Sequence, residues 1–184
     1  LLAKYGLRVP QTQAEMVAAI RRVRAGERNP RLEGYLWQGK QYEGLVVNAL
    51  EAIWAGGTEV LGADGRAFPD PGRAAAALAF LRGLIEQGLS PRWVTAADEE
   101  ITRRAFGQGE AVFLRSWPYA ADLFELPDSP VRGKVGLAPL PRHDAGTPAP
   151  GSTGGSLLAV GRNTRHPQGA LALVRFLPRE RAQP

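Results

Sequence analysis

The residue types best suited to chemistry lie between positions 106 and 120, in FGQGEAVFLRSWPYA. Residues 111–114 form an apolar run of strand length, bounded by a Gly-x-Gly turn, that delivers Arg115 and Ser116 to an edge. Pro118 suits the first turn of a helix, because its ring fixes φ and it has no N–H to leave unpaired. Trp117 and Tyr119 are therefore expected to flank a helix N-terminus at the end of a strand. Two large amphipathic rings there make a platform for a ligand with apolar faces and polar edges. A sugar is such a ligand: its C–H patches lie on the rings and its hydroxyls remain for directed hydrogen bonds. The alternative is that both rings are core. A second aromatic pair, Trp37 and Tyr42, flanks a Gly-containing turn, and two such corners would line one cleft. Trp54 and Trp93 sit in apolar contexts and read as core.

Reactive constellations are missing from the sequence. It has no nucleophile elbow and no phosphate loop, and His143 and His166 stand alone. Glu99 and Glu100 are a carboxylate pair, but neighbours along a helix point about 100° apart and do not converge on one substrate atom, so they read as a solvated face. With no cysteine there is no thiolate chemistry, and a structural zinc site is not expected. Gly154 and Gly155, ahead of an apolar run, either bring backbone close to a ligand or form a turn. These residues point to binding rather than catalysis, with no metal and no cofactor.

Local signals define the elements that must position these groups. Thr12-Gln-Ala-Glu15 is a capping box that opens a helix bearing Met16, Val17, Ile20 and Val23 on one face. Residues 35–37 are a short strand candidate, and residues 41–55 read as a helix closed by Gly56-Gly57. Asp64-Gly65 marks a hairpin over 59–68. Asp70-Pro71 caps a helix over 72–87 whose Ala76, Leu78, Phe80, Leu81, Leu84 and Ile85 predict that it is largely buried. Thr95-Ala-Ala-Asp98 opens the next helix, which runs to Phe106. Beyond the aromatic corner, residues 127–130 read as a connector and residues 135–140 as a strand. Residues 141–155 form a long Gly/Pro-rich loop, residues 157–160 a second buried-type strand, and residues 165–177 a closing helix. Helices alternating with short strands give an α/β fold class.

Composition narrows the partners. The 184 residues are 44% hydrophobic, enough for a real core, and the net charge is +5. Arginines are scattered among acidic residues rather than gathered in a binding arm, so no nucleic-acid partner is expected. No apolar run approaches the roughly 20 residues of a membrane span, and the first residues lack a signal-peptide layout. Starting at Leu1 without an initiator Met, the chain is expected to be incomplete.

The chain resembles the solute-binding proteins of bacterial carbohydrate ABC importers, most closely their trehalose/maltose-binding branch. The resemblance is carried in order by KYGLRVPQTQAEM, YLWQGKQYEGL, AFLRGLIEQGLSP, FGQGEAVFLRSWPYA, SPVRGKVGLAPLP, and GGSLLAV followed by a helix ending VRFL. It implies a type II periplasmic-binding-protein-like fold of two α/β lobes that close on a sugar. Residues 1–128 match the second lobe, 129–133 a hinge or crossover, and 134–184 the return segment of an otherwise missing first lobe. Tyr119 matches the ring that stacks on sugar, Trp117 a second ring of that corner, and Gly155 a cleft glycine beside Gly154. Ser156 departs from the pattern, because close relatives carry Trp there. Trp37, Gln41 and Tyr42 lie in the corresponding second-lobe region.

The resemblance implies an extracytoplasmic, non-enzymatic component of an importer, lipid-anchored in its full-length form. It implies a disaccharide such as trehalose or maltose as ligand and membrane permease subunits as partners. The alternatives are a truncated remnant that no longer binds, or a sugar-active enzyme or carbohydrate-binding module. Strands at 135–140 and 157–160 without their first-lobe partners predict self-association, or else mobility beyond about residue 134.

Overall fold

The computed structural model describes residues 1–148, 151–154 and 157–179. The chain divides into two compact units, Leu1–Ser152 and Thr153–Pro184. In the first unit, helix α1 (Gln13–Glu27) begins at the capping box expected from the sequence. The Glu15 N–H donates to Thr12 Oγ1 at 3.2 Å, and the Thr12 N–H donates to Glu15 Oε2 at 3.3 Å. Its buried face is Met16, Ala19, Ile20 and Val23.

Strands β1 (Glu33–Leu36) and β2 (Ala111–Leu114) pair in parallel, with Glu33 opposite Ala111 and Leu36 opposite Leu114. A parallel pair needs a long crossover, supplied by helices α2 (Glu43–Ala55), α3 (Pro71–Glu86) and α4 (Glu99–Gly107). The free edge of β1 is covered: the Tyr35 N–H donates to the Leu89 carbonyl at 2.9 Å, and the Ser90 hydroxyl donates to the Tyr35 carbonyl at 2.6 Å. Gly34 permits this approach, since a Cβ there would lie 2.3 Å from the Leu89 carbonyl oxygen and 2.5 Å from Ile20 Cγ2. The main core of Met16, Ile20, Tyr35, Leu36, Trp37, Leu84, Leu89, Val94 and Ala111 fills the space between sheet and helices. Helix α5 (Tyr119–Phe124) follows β2, and its Ala120 and Phe124 bury with Val131 in a smaller cluster.

Several expectations are corrected. Helix α3 is not largely buried: only Ala74, Ala77 and Leu84 are, and Leu78 is 41% exposed. Its alanines are apolar enough to read as core but too small to require it, so a narrow stripe suffices. Trp93 is exposed and Trp54 half-buried, so neither is a core residue. Residues 135–140 are not a strand and Leu137 is 75% exposed; residues 157–160 are not a strand either, and Leu157 is 95% exposed. An apolar run becomes a strand only when another backbone pairs with it, and among the described residues none does. The hairpin over 59–68 reduces to a single antiparallel bridge, Leu61 with Ala67, around Gly65.

The second unit holds helix α6 (Pro167–Phe176), with Pro167 in its first turn as the sequence implies. Among the described residues no helix is long and apolar enough to cross a membrane.

The contrast along α3 is testable by denaturant unfolding. Leu84→Ala should destabilise the fold by about 2 to 5 kcal/mol, as for a fully buried leucine, whereas Leu78→Ala should stay within about 0.5 kcal/mol. Equal losses would mean that α3 buries both faces.

Candidate functional site

Strands β1 and β2 end side by side, and the chain leaving each carries an aromatic corner. Carboxyl ends of parallel strands are where α/β proteins gather ligand contacts. After β2, the Arg115 N–H donates to the Leu36 carbonyl at 2.9 Å, extending the ladder by one step. The chain then turns outward through Ser116 and Trp117 to Pro118, the N-cap of α5. Trp117 is half-buried, whereas Tyr119, in the first turn of α5, is 43% exposed.

Beneath this corner lies a polar network. The sequence places Arg115 at an edge; in the structure its side chain is 4% exposed and faces inward. Its Nε and Nη2 donate to Glu51 Oε2 and Oε1 at 2.8 and 2.6 Å, a bidentate ion pair with α2. Gln38 Nε2 donates to Thr102 Oγ1 at 2.9 Å and to the Arg115 carbonyl at 2.8 Å, and Asn48 Nδ2 donates to Gln38 Oε1 at 3.1 Å. The Arg115 guanidinium carbon stands 3.9 Å from the centroid of the Trp117 ring.

The corner after β1 is built differently. Trp37 lies inside the main core, and its Nε1 is buried with no hydrogen-bond partner among the described residues. Gln41 is exposed. Tyr42 caps α2 and folds its ring over Gly44, where a Cβ would lie 2.2 Å from the phenolic oxygen. The Tyr42 hydroxyl donates to Glu99 Oε2 at 2.5 Å. Gly154 belongs to the second unit, where it is exposed, and Gly155 and Ser156 lie outside the described residues.

Sequence reasoning locates the start of α4 but misses that the carboxylates of its first turn stand beside the tyrosines. Asp98 caps that helix by accepting from the Ile101 N–H at 3.2 Å, and Lys40 Nζ binds its carboxylate at 2.9 Å. The Lys40 hydrogen bond and the Ile101 N–H together hold the Asp98 carboxyl below its ordinary range. Glu99 and Glu100 then stand beside the two tyrosines, half-exposed rather than fully solvated. Desolvation, followed by the hydrogen bond to Glu99, pushes the Tyr42 phenol far above its ordinary value. Desolvation, followed by the charges of Glu100 and Glu99, raises Tyr119 as well, although the residue is partly exposed. Glu100 is held low by its pair with Arg103, whose Nη2 lies 2.6 Å away. Two carboxylates thus lie beside Tyr42 and Tyr119, an acceptor-rich rim next to aromatic faces. The only signal for this was the Asp98 cap, which fixes where the first turn begins.

Among the described residues no group of three or more His, Cys, Asp or Glu side chains is placed to hold a metal ion. A separate groove of about 400 Å³, lined in part by Gln13, Arg73, His143 and Thr147, shares none of the aromatic residues.

Comparison with known proteins adds four findings. The family model for bacterial extracellular solute-binding proteins matches residues 1–184. A "Probable ABC transporter-binding protein" of Deinococcus radiodurans is 39% identical over 181 residues, covering 96% of this chain and 43% of that protein. The chain therefore spans less than half the length of this relative. Maltose-bound MalE3 of T. maritima superposes with a TM-score of 0.72 at 43% identity, over 77% of this chain and 36% of that one. An ABC transporter solute-binding protein from Agrobacterium radiobacter, in complex with ribitol, shares the fold with a TM-score of 0.78 at 19% identity, over 98% of this chain and 45% of that one.

The Tyr42 contact has a pH signature. A phenol whose folded value is raised stabilises the fold fully below its unfolded value, near 10, and that contribution is lost only as the pH rises through the folded value. In absorbance titration at 295 nm, the difference between wild type and Tyr42→Phe should therefore lack a step near pH 10, and the step should return in guanidinium. A step near pH 10 in the folded protein would remove Tyr42 from Glu99.

Proposed function

This chain belongs to the bacterial extracellular solute-binding protein family, and on that premise we propose that it is the sugar-binding part of a carbohydrate ABC importer, acting without catalysis. Its fold is that of the type II periplasmic-binding proteins. The observation that carries the reading is the placement of Trp117 and Tyr119 where β2 runs out, with Glu99 and Glu100 beside the tyrosines.

Such an arrangement matches the two-sided chemistry of a sugar. The exposed face of Tyr119 and the outer part of Trp117 take the C–H surface of a pyranose ring, while carboxylate oxygens accept from its hydroxyls. A charged acceptor makes a stronger hydrogen bond than a neutral one and rewards a particular hydroxyl direction, so stacking supplies affinity and the rim supplies selection. The ligand class is a disaccharide such as maltose or trehalose, supported by the 43% identity to a maltose-bound protein. Residues 1–128 supply one wall of the sugar site. The partners are the sugar and the membrane permease subunits of the importer, and the working location is outside the cytoplasm.

The test is titration calorimetry of the full-length product of the gene encoding these residues with maltose, trehalose and stachyose. Saturable binding of at least one is expected, and Tyr119→Ala should weaken it by about 1 to 3 kcal/mol, the scale of losing one stacked ring. Unchanged affinity would demote the ring to a surface residue, and no binding to any sugar would reject the function.

Ser156 supplies a second measurement. Ser156→Trp, which restores the ring of the trehalose/maltose branch, should tighten maltose or trehalose binding. Weaker binding of both by a folded variant would contradict the role of that position.

A further inference from the structure

We infer that Arg115 and Glu51 are positioning residues for the Trp117 ring: a buried guanidinium, locked by a carboxylate of α2, is the back surface that holds the ring in place before any ligand arrives. The inference deepens the sugar-stacking reading of Trp117 and rests on it for its effect on binding.

The geometry leaves the guanidinium little else to do. Glu51 takes Nε and Nη2 at 2.8 and 2.6 Å, and Gln38 Oε1 stands 3.5 Å from Nη1. With its edges engaged in this way, the cation has its planar faces left, and the Trp117 ring covers one of them with its centroid at 3.9 Å. Arg115 and Glu51 are both buried, so neither is placed to touch a ligand directly. They act through the ring. Glu51 Oε1 also accepts the Ser152 N–H at 3.0 Å, so one carboxylate holds both the aromatic corner and the last residue of the first unit.

A lysine cannot reproduce this arrangement. Its ammonium keeps the charge but has no plane to present to an indole and no bidentate fork for a carboxylate. Arg115→Lys therefore separates charge from positioning. Glu51→Gln is a second probe, because it keeps the shape and one acceptor but releases the ion pair.

Two readouts test the inference. In the ligand-free 184-residue chain, the near-ultraviolet circular dichroism of wild type minus Trp117→Phe isolates the ring. That difference should fall to less than about half when recorded in an Arg115→Lys or a Glu51→Gln background, while the far-ultraviolet spectrum is retained. An undiminished difference in either folded background overturns the inference.

The second readout is maltose affinity in the full-length gene product. Arg115→Lys should weaken binding about 10-fold when Trp117 is present and less than about 2-fold when Trp117 is already Ala. The same loss in both backgrounds overturns positioning and leaves the sugar reading intact. If the dichroism difference falls but Trp117→Ala leaves maltose affinity unchanged, positioning stands and the sugar contact at Trp117 fails.

Discussion

A guanidinium and a carboxylate taken out of water together set the terms for the rest of this molecule. Desolvating an ion costs several kcal/mol, and the pair repays this only if its geometry is good and its remaining hydrogen-bonding positions are filled. Both conditions are met by residues from four elements or their ends. Glu51 comes from α2, Arg115 from the end of β2, Gln38 from just past β1, and Thr102 from α4, with Asn48 of α2 closing the set. A shift of any one element would strand a charge or an amide, so the pair fixes α2 and α4 against the strand ends more tightly than apolar packing alone. The aromatic corner stands on that foundation.

What was legible in the sequence was local. The Thr12 capping box, a helix start within residues 95–98, the strand at 111–114 and the Pro118 corner each depend on residues within a few positions of one another. The Arg115 and Glu51 pair joins residues 64 apart, and nothing near Glu51 distinguishes it from a solvated helical carboxylate. Strands at 135–140 and 157–160 failed for the same reason, because hydrophobic content is a local property and pairing is not. The exposure of α3 was missed because an alanine-rich helix has no periodicity sharp enough to say how wide its buried stripe is.

The carboxylates beside the tyrosines show how a helix terminus shapes an acidic rim. At the N-terminus of α4 the unpaired N–H groups favour negative charge, so Asp98, Glu99 and Glu100 sit where the backbone dipole favours them. The Tyr42 phenol stays protonated and donates to Glu99, which uses one lone pair of that carboxylate and leaves others open. Asp98 and Glu100 are held by Lys40 and Arg103, whereas Glu99 is held beside the Tyr42 ring by a neutral phenol.

The solvated face of α3 has a practical consequence. Ala75, Ala79, Arg82 and Glu86 follow one another along its exposed side, while Ala74, Ala77 and Leu84 anchor the opposite one. Because the chain has no cysteine, a single thiol introduced as Ala75→Cys or Ala79→Cys would be chemically unique. A fluorophore or spin label attached there would ride on a fixed helix in water. The protein thus offers a ready point of attachment for a probe of its rotational motion or of distances within the molecule.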